Sequence, residues 1–236
     1  MFKWGLVGCA GIMVFTVILV FVFGAALFAS RLGDPSGGVG GGGEGSAYFG
    51  IGYMFDSDIA TAEEIKQIID TENNYAVFRA SNLPGNEDLA QGIIAAAIKH
   101  HLNPIYILAH ARHETGSTLS RIARDKKNLF GYGAADSCPY ECARTFSSYA
   151  EGIDFVMGKI KQNYLTPGGS FYMYEEVIPD DKQDKAAAIK AKNNITRIEK
   201  ETLEAMNIYY ASDINWAYAI KNFMKRVYDK LGKPTF

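Results

Sequence analysis

The sequence predicts a mainly helical domain carried behind one membrane-spanning helix and a flexible tether. Three observations predict it. Residues 4–30 run for 27 positions without a charge, between Lys3 and Arg31. Residues 33–46 are dominated by glycine, with Gly40 to Gly43 unbroken. Beyond them, helix-capping residues recur ahead of apolar-periodic segments, while strand signals are sparse.

As a helix, residues 4–30 reach roughly 40 Å, enough to cross a hydrocarbon core of about 30 Å with some tilt. A cleaved signal peptide is the rival. Its apolar region spans about 7–15 residues and ends at a small-residue cleavage site, and no clean site follows here. Residues 1–31 are therefore expected to be a retained transmembrane anchor. Lys3 and the terminal amine face Arg31, Asp34 and Glu44 across it, which leans towards a cytoplasmic N-terminus. Residues 32–47 form a Gly-rich linker with a root-mean-square span of about 20 Å. Residues 48–236 form the folded domain. The formal net charge of the 236-residue chain is −2, so no basic footprint points to nucleic acid.

The elements of the domain follow in order. Thr61 and Glu64 make a capping box for a first helix of about ten residues. Asn86 precedes Glu87, Asp88 and the apolar run 89–98, a second helix. Asn103 as N-cap and Pro104 at the first position open a third, 103–114. A fourth covers 117–124. Ser148 and Glu151 make another capping box for a helix to about Asn163. Residues 180–192 read as an Ala/Lys-rich surface helix. Asp213 caps a last helix, 214–231, with Trp216, Ile220, Phe223 and Val227 on its apolar stripe. Residues 144–147 suit short extended structure.

The third helix carries the most informative residue. Ile105, Leu108 and Ala109 form one stripe, and Ile107 and Ala111 a neighbouring one that Glu114 continues. The Glu114 carboxyl should emerge over an apolar face, where desolvation would raise its pKa and keep it protonated. A general acid in glycoside cleavage needs that state. Thr115 and Gly116 end the helix beside it. A solvent-facing Glu at a helix terminus is the alternative.

Ordered blocks around Glu114 extend the pattern. They are Asn103-Pro104-Ile105-Tyr106, residues 114–123 (ETGSTLSRIA), 128–134 (NLFGYGA), 149–153 (YAEGI), Asn163-Tyr164-Leu165, and 210–217 (YASDINWA). Together they resemble the bacterial endo-β-N-acetylglucosaminidases that act as cell-wall autolysins, over most of residues 56–231. The resemblance implies a mainly α (α+β, lysozyme-like) catalytic domain with any sheet small. It implies peptidoglycan glycan strands as substrate, cut at the β-1,4 bond after N-acetylglucosamine. It also implies a bacterial cell-membrane location with the domain outside the cytoplasm. Residues 174–202 are longer and more charged than the family pattern suggests and read as an insertion near the groove.

Further site candidates follow from the same blocks. Asp136 corresponds to the Asp after the family's glycine-rich loop and is the second catalytic candidate; an Asx-turn residue is the equal alternative. Asp213 stands at a family position for substrate binding, against a reading as helix N-cap. The substrate's N-acetyl group could also replace a second carboxylate. Asn128, Tyr132 and Tyr164 are groove candidates, since rings suit the apolar faces of sugars and tyrosine adds a hydroxyl. Trp216 reads as a packing residue. His110, His113 and Glu114 do not match the i, i+4 zinc pattern around a Glu, so no metal or cofactor is expected. Cys138 and Cys142 can bridge across a turn outside the cytoplasm, or stay free. Two other classes compete with a glucosaminidase: a lytic transglycosylase or muramidase on a similar fold, and a non-catalytic wall-binding scaffold with envelope-machinery partners.

Overall fold

The computed structural model describes residues 52–234. The anchor expected at 4–30 and the tether at 32–47 lie outside the described residues. Among the described residues no helix is long and apolar enough to cross a membrane.

Among the described residues nine α-helices follow in chain order: α1 Ala62–Thr71, α2 Leu89–His100, α3 Pro104–Thr115, α4 Arg121–Lys126, α5 Pro139–Cys142, α6 Tyr149–Tyr164, α7 Gln183–Asn193, α8 Leu203–Tyr210 and α9 Trp216–Leu231. No strand forms among the described residues, so the β contribution expected at 144–147 is absent there. That stretch runs extended but is held by single bonds, Arg144 N–H to Tyr132 O at 2.9 Å and Phe146 N–H to Lys126 O at 3.0 Å. It spans the loop after α5 without a neighbouring strand to make a ladder.

The caps explain most of the boundaries. The Thr61–Glu64 box opens α1, with both reciprocal bonds made. Ser148 caps α6 through Glu151 N–H at 3.0 Å, but Glu151 turns to Ser147, so the reciprocal half of the expected box is not made there. Its place is taken from a distance: the Glu87 carboxylate accepts from the N–H groups of Tyr149 and Ala150 at 3.0 and 2.8 Å. Glu87 thus satisfies the first orphan donors of α6 and ties it to the entry of α2. Asp88 caps α2 itself, accepting from Ala90 N–H at 2.9 Å. Ser120, not a residue near 117, caps α4.

The α3 helix runs through the core. Residues 104–111 are all buried, and α3 packs chiefly against α9 and also against α2 and α1. A helix covered on every side needs no polar stripe. Its N-cap Asn103 is anchored in turn: its side-chain oxygen accepts from Ile105 and Tyr106, and its amide donates to Tyr53 O and the Tyr228 hydroxyl. The α2 and α6 helices pack closely because Gly92 faces Ala150; a Cβ at Gly92 would sit 2.9 Å from the Ala150 Cβ.

Residues 174–202 build a second small core. Ile178, Ala186, Ile189 and Ile198 pack with Ala205 and Ile208 of α8. Lys185 of α7 donates to Ile208 O and Ala211 O at the C-terminal end of α8. This segment therefore clamps the turn that leads into α9. A buried ion pair, Lys221 to Glu204 at 2.7 Å, joins α9 to α8 from the other side.

Candidate active site

Helix α3 presents Tyr106, His110 and Glu114 four residues apart, so their side chains stack along one face. The Glu114 side chain is 2 % exposed and that of His110 is 0 % exposed. His110 Nε2 lies 3.2 Å from Glu114 Oε1, and His110 Nδ1 lies 3.0 Å from the Tyr106 hydroxyl. A second donor comes from the far end of the sequence. The Trp216 indole N–H donates to the same Oε1 at 2.9 Å. Both donors converge on one carboxylate oxygen, Oε1.

Aromatic rings enclose this pair. Phe130, Tyr210 and Trp216 meet the His110 ring edge-on, with centroids 5.1–5.2 Å away. Tyr210 lies 4.7 Å from Trp216 and 5.5 Å from Tyr164, and Tyr164 stacks on Phe171 at 5.1 Å. The rings form a continuous path from Glu114 through Trp216 and Tyr210 to Tyr164.

The protonation expected for Glu114 is corrected here. Burial pushes its carboxyl up and is the largest single influence. The hydrogen bond from His110, the charges of His110 and His113, and the Trp216 donor together outweigh it, and the net displacement is downward. The apolar face was foreseen; the two donors aimed at Oε1 were not. His113, one residue away, is lowered by burial, while Glu114 and Asp213 act in the opposite direction. Arg112 turns away, donating to Asn74 O and lying 5.2 Å over the Phe223 ring.

The other candidates fall into distinct places. Asn128 is buried, and its amide is committed to the loop: Oδ1 accepts from Tyr132 N–H, and Nδ2 donates to Tyr132 O and Arg144 O. It holds the loop in shape. Tyr132 is half-buried and meets Phe155 edge-on at 5.1 Å. Tyr164 is buried, and burial together with the Tyr132 hydroxyl raises its own hydroxyl well above the ordinary range. Asp136 is exposed on the loop between them. Its turn is closed by the main chain, Cys138 N–H to Ala135 O, and the partners of Glu114 do not include it. Asp213 is exposed and accepts from Asn215 N–H and Nδ2 at 2.9 and 2.8 Å, forming the turn before α9 two residues ahead of the cap itself, Asn215. Cys138 and Cys142 are bridged across α5.

Two residues at the site were under-read in the sequence. The i, i+4 spacing of His110 from Glu114 is the sequence signal for a direct contact, which a metal-ligand reading passes over. Trp216 was read as packing. It does pack, at 1 % exposure, but only the fold brings its N–H to a residue 102 positions away.

Residues 90–229, more than half of the chain, match the family described as Mannosyl-glycoprotein endo-beta-N-acetylglucosaminidase, and the chain belongs to this glucosaminidase family. A Streptococcus pneumoniae protein that carries the name endo-beta-N-acetylglucosaminidase is 33% identical over 133 residues, covering 56% of this chain and 16% of its own length. The bifunctional autolysin of Staphylococcus epidermidis is 27% identical over 154 residues, 58% of this chain and 10% of its own. The beta-N-acetylglucosaminidase of Bacillus subtilis is 26% identical over 149 residues, 60% of this chain and 15% of its own. The chain thus spans less than a fifth of the length of these relatives. A solved structure of a catalytic mutant of S. aureus autolysin E in complex with the disaccharide NAG-NAM aligns with TM-score 0.44 and 21% identity, over 78% of this chain and 76% of that one.

Proposed function

We propose that this chain is a peptidoglycan hydrolase that cleaves the β-1,4 bond after N-acetylglucosamine, with Glu114 as general acid. The carrying observation is the Glu114 carboxyl at the end of α3, 2 % exposed and held at Oε1 by two donors. Family membership over residues 90–229 supports the reaction class. Glu114 protonates the leaving glycosidic oxygen from Oε2 while Trp216 and His110 hold Oε1. Water completes the hydrolysis, assisted by Asp136 or by the substrate's own acetamido group, an oxocarbenium-like state lying between. Because the donors favour the ionised carboxyl, the working range lies on the acid side.

Tyr132 offers its ring and hydroxyl to saccharide units, Tyr164 supports the aromatic path from within, Asn128 shapes the loop that carries Tyr132, and Asp213 sets the turn into α9. Residues 4–30 anchor the chain once in a bacterial membrane, with the domain outside the cytoplasm and its glycan substrate beside it.

The test is digestion of peptidoglycan by the purified full-length protein, borohydride reduction, and mass spectrometry of the fragments. The expected products end in reduced N-acetylglucosamine. Reduced N-acetylmuramic acid would make the protein a muramidase, and anhydro ends a transglycosylase. Absence of any fragment would leave a wall-binding scaffold.

A further inference from the structure

The hydrogen-bonded line Tyr106–His110–Glu114 goes beyond what a general acid needs. An acid over an apolar face requires no histidine behind it. Yet His110 is fully buried, with one ring nitrogen on the carboxyl and the other on a phenol. The phenol is the one type of partner here that serves both states of the ring. With His110 neutral, the Tyr106 O–H donates to Nδ1 and Nε2–H donates to Oε1. With His110 protonated, Nδ1–H donates to the Tyr106 oxygen and Nε2–H still donates to Oε1. The carboxyl is therefore held at Oε1 in either state, while the charge behind it changes.

We propose that His110 is a positioning residue of the Glu114 site: it orients the carboxyl through Oε1, and its own protonation state sets the pH range over which Glu114 acts as an acid. The proposal rests on the functional reading above and deepens it. The groups that face the pair are few. On α3 they are Tyr106 and His113; Tyr210 comes from α8 and Tyr164 from α6, while Asp213 in the turn before α9 bears on His113. Trp216 and Phe130 complete the enclosure without titrating. Arg112 is directed towards Asn74 and Phe223, and it bears on His113 rather than on the pair. Tyr106, Tyr164 and Tyr210 are all raised by burial, so they stay neutral. His110 is thus the titratable side chain in direct hydrogen-bond contact with Glu114.

Two measurements on the full-length protein test this. The first is the pH profile of kcat and KM on peptidoglycan for the wild type and for His110→Gln, whose amide can donate to Oε1 but cannot titrate. The expected result is a basic limb of kcat displaced upwards by on the order of one pH unit, with KM within about twofold. A limb that superimposes on the wild type, or a loss carried by KM alone, overturns the proposal. The second is the 13C titration of the Glu114 carboxyl in both proteins, which needs no turnover. Its midpoint should rise in His110→Gln, and an unchanged midpoint overturns the proposal. His110→Asn, shorter by one methylene, serves if His110→Gln does not fold. A wild-type protein that releases no fragments overturns the functional reading on which the catalytic claim rests, and the carboxyl titration then still decides the coupling of the pair.

Discussion

Glu114 is set by a contest between its solvent exclusion and its donors. Burial alone would keep its proton on; Trp216 and His110 reverse the outcome. Removing one donor while keeping the ring separates the two influences. Trp216→Phe loses a hydrogen bond to a charged acceptor, worth about 1.5–3 kcal/mol. Peptidoglycan release should fall by roughly 10- to 100-fold through misorientation of the carboxyl, and circular dichroism should show the helices retained. The downward displacement of Glu114 also has a stability consequence. A carboxyl whose pKa is lower folded than unfolded contributes stability that is present above the unfolded value, about 4.3, and is lost as pH falls through the folded one. The wild type should therefore melt above Glu114→Gln near neutral pH, and the gap should narrow as pH drops below the ordinary carboxylate range. A gap that widens on acidification would mean that the donors do not win.

The register of α3 was legible in its own sequence. Asn103 and Pro104 mark its start, and Gly116 its end, where φ is +73°. The i, i+4 spacing of Tyr106, His110 and Glu114 was also there to be read. The Trp216 donor was not, because no local rule links residues 102 positions apart.

Among the elements, α6 and α2 show how packing overrides propensity. Gly92 lies inside a helix, where alanine would be better by about 1 kcal/mol on propensity alone. Its missing Cβ makes room for Ala150, and overfilling such a contact costs about 1–3 kcal/mol. Gly92→Ala should therefore lower the melting temperature, and adding Ala150→Gly should recover part of the loss. A stabilised Gly92→Ala protein would show that α2 and α6 can part at no cost.

The elements that escaped the sequence share a cause. Helix α8 is buried from Leu203 to Ile208, including Glu204 and Asn207, so it shows no polar stripe, and its cap Thr202 closes a charged stretch that reads as surface. Helix α5 has four residues and owes its place to the loop around it. The capping boxes and the apolar run of α2, which depend on neighbours in sequence, marked their helices close to where they form.

The whole molecule is organised so that distant segments meet at α3. Its N-cap is held by Tyr53 and Tyr228, its face is closed by α9, and its last turn receives Trp216. The segment 174–202 reinforces this: Lys185 holds the end of α8, whose following turn carries Asp213 and leads to Trp216. The family resemblance anticipated the mainly helical architecture. It placed Asp136 and Asp213 as candidates, but both are exposed, and their surroundings give neither the seclusion that Glu114 has. The anchor proposed for residues 4–30 predicts that membrane fractions retain the full-length protein after a high-salt wash and that deletion of residues 1–31 releases it.

Release of reducing ends from purified peptidoglycan by the wild-type and Glu114→Gln proteins, at matched folded concentration and across a range of pH, bears most directly on the role of Glu114. The wild type should release ends with its maximum on the acid side, and Glu114→Gln should release at least about 100-fold fewer. Equal release by the two proteins would contradict the assignment of Glu114 as the acid.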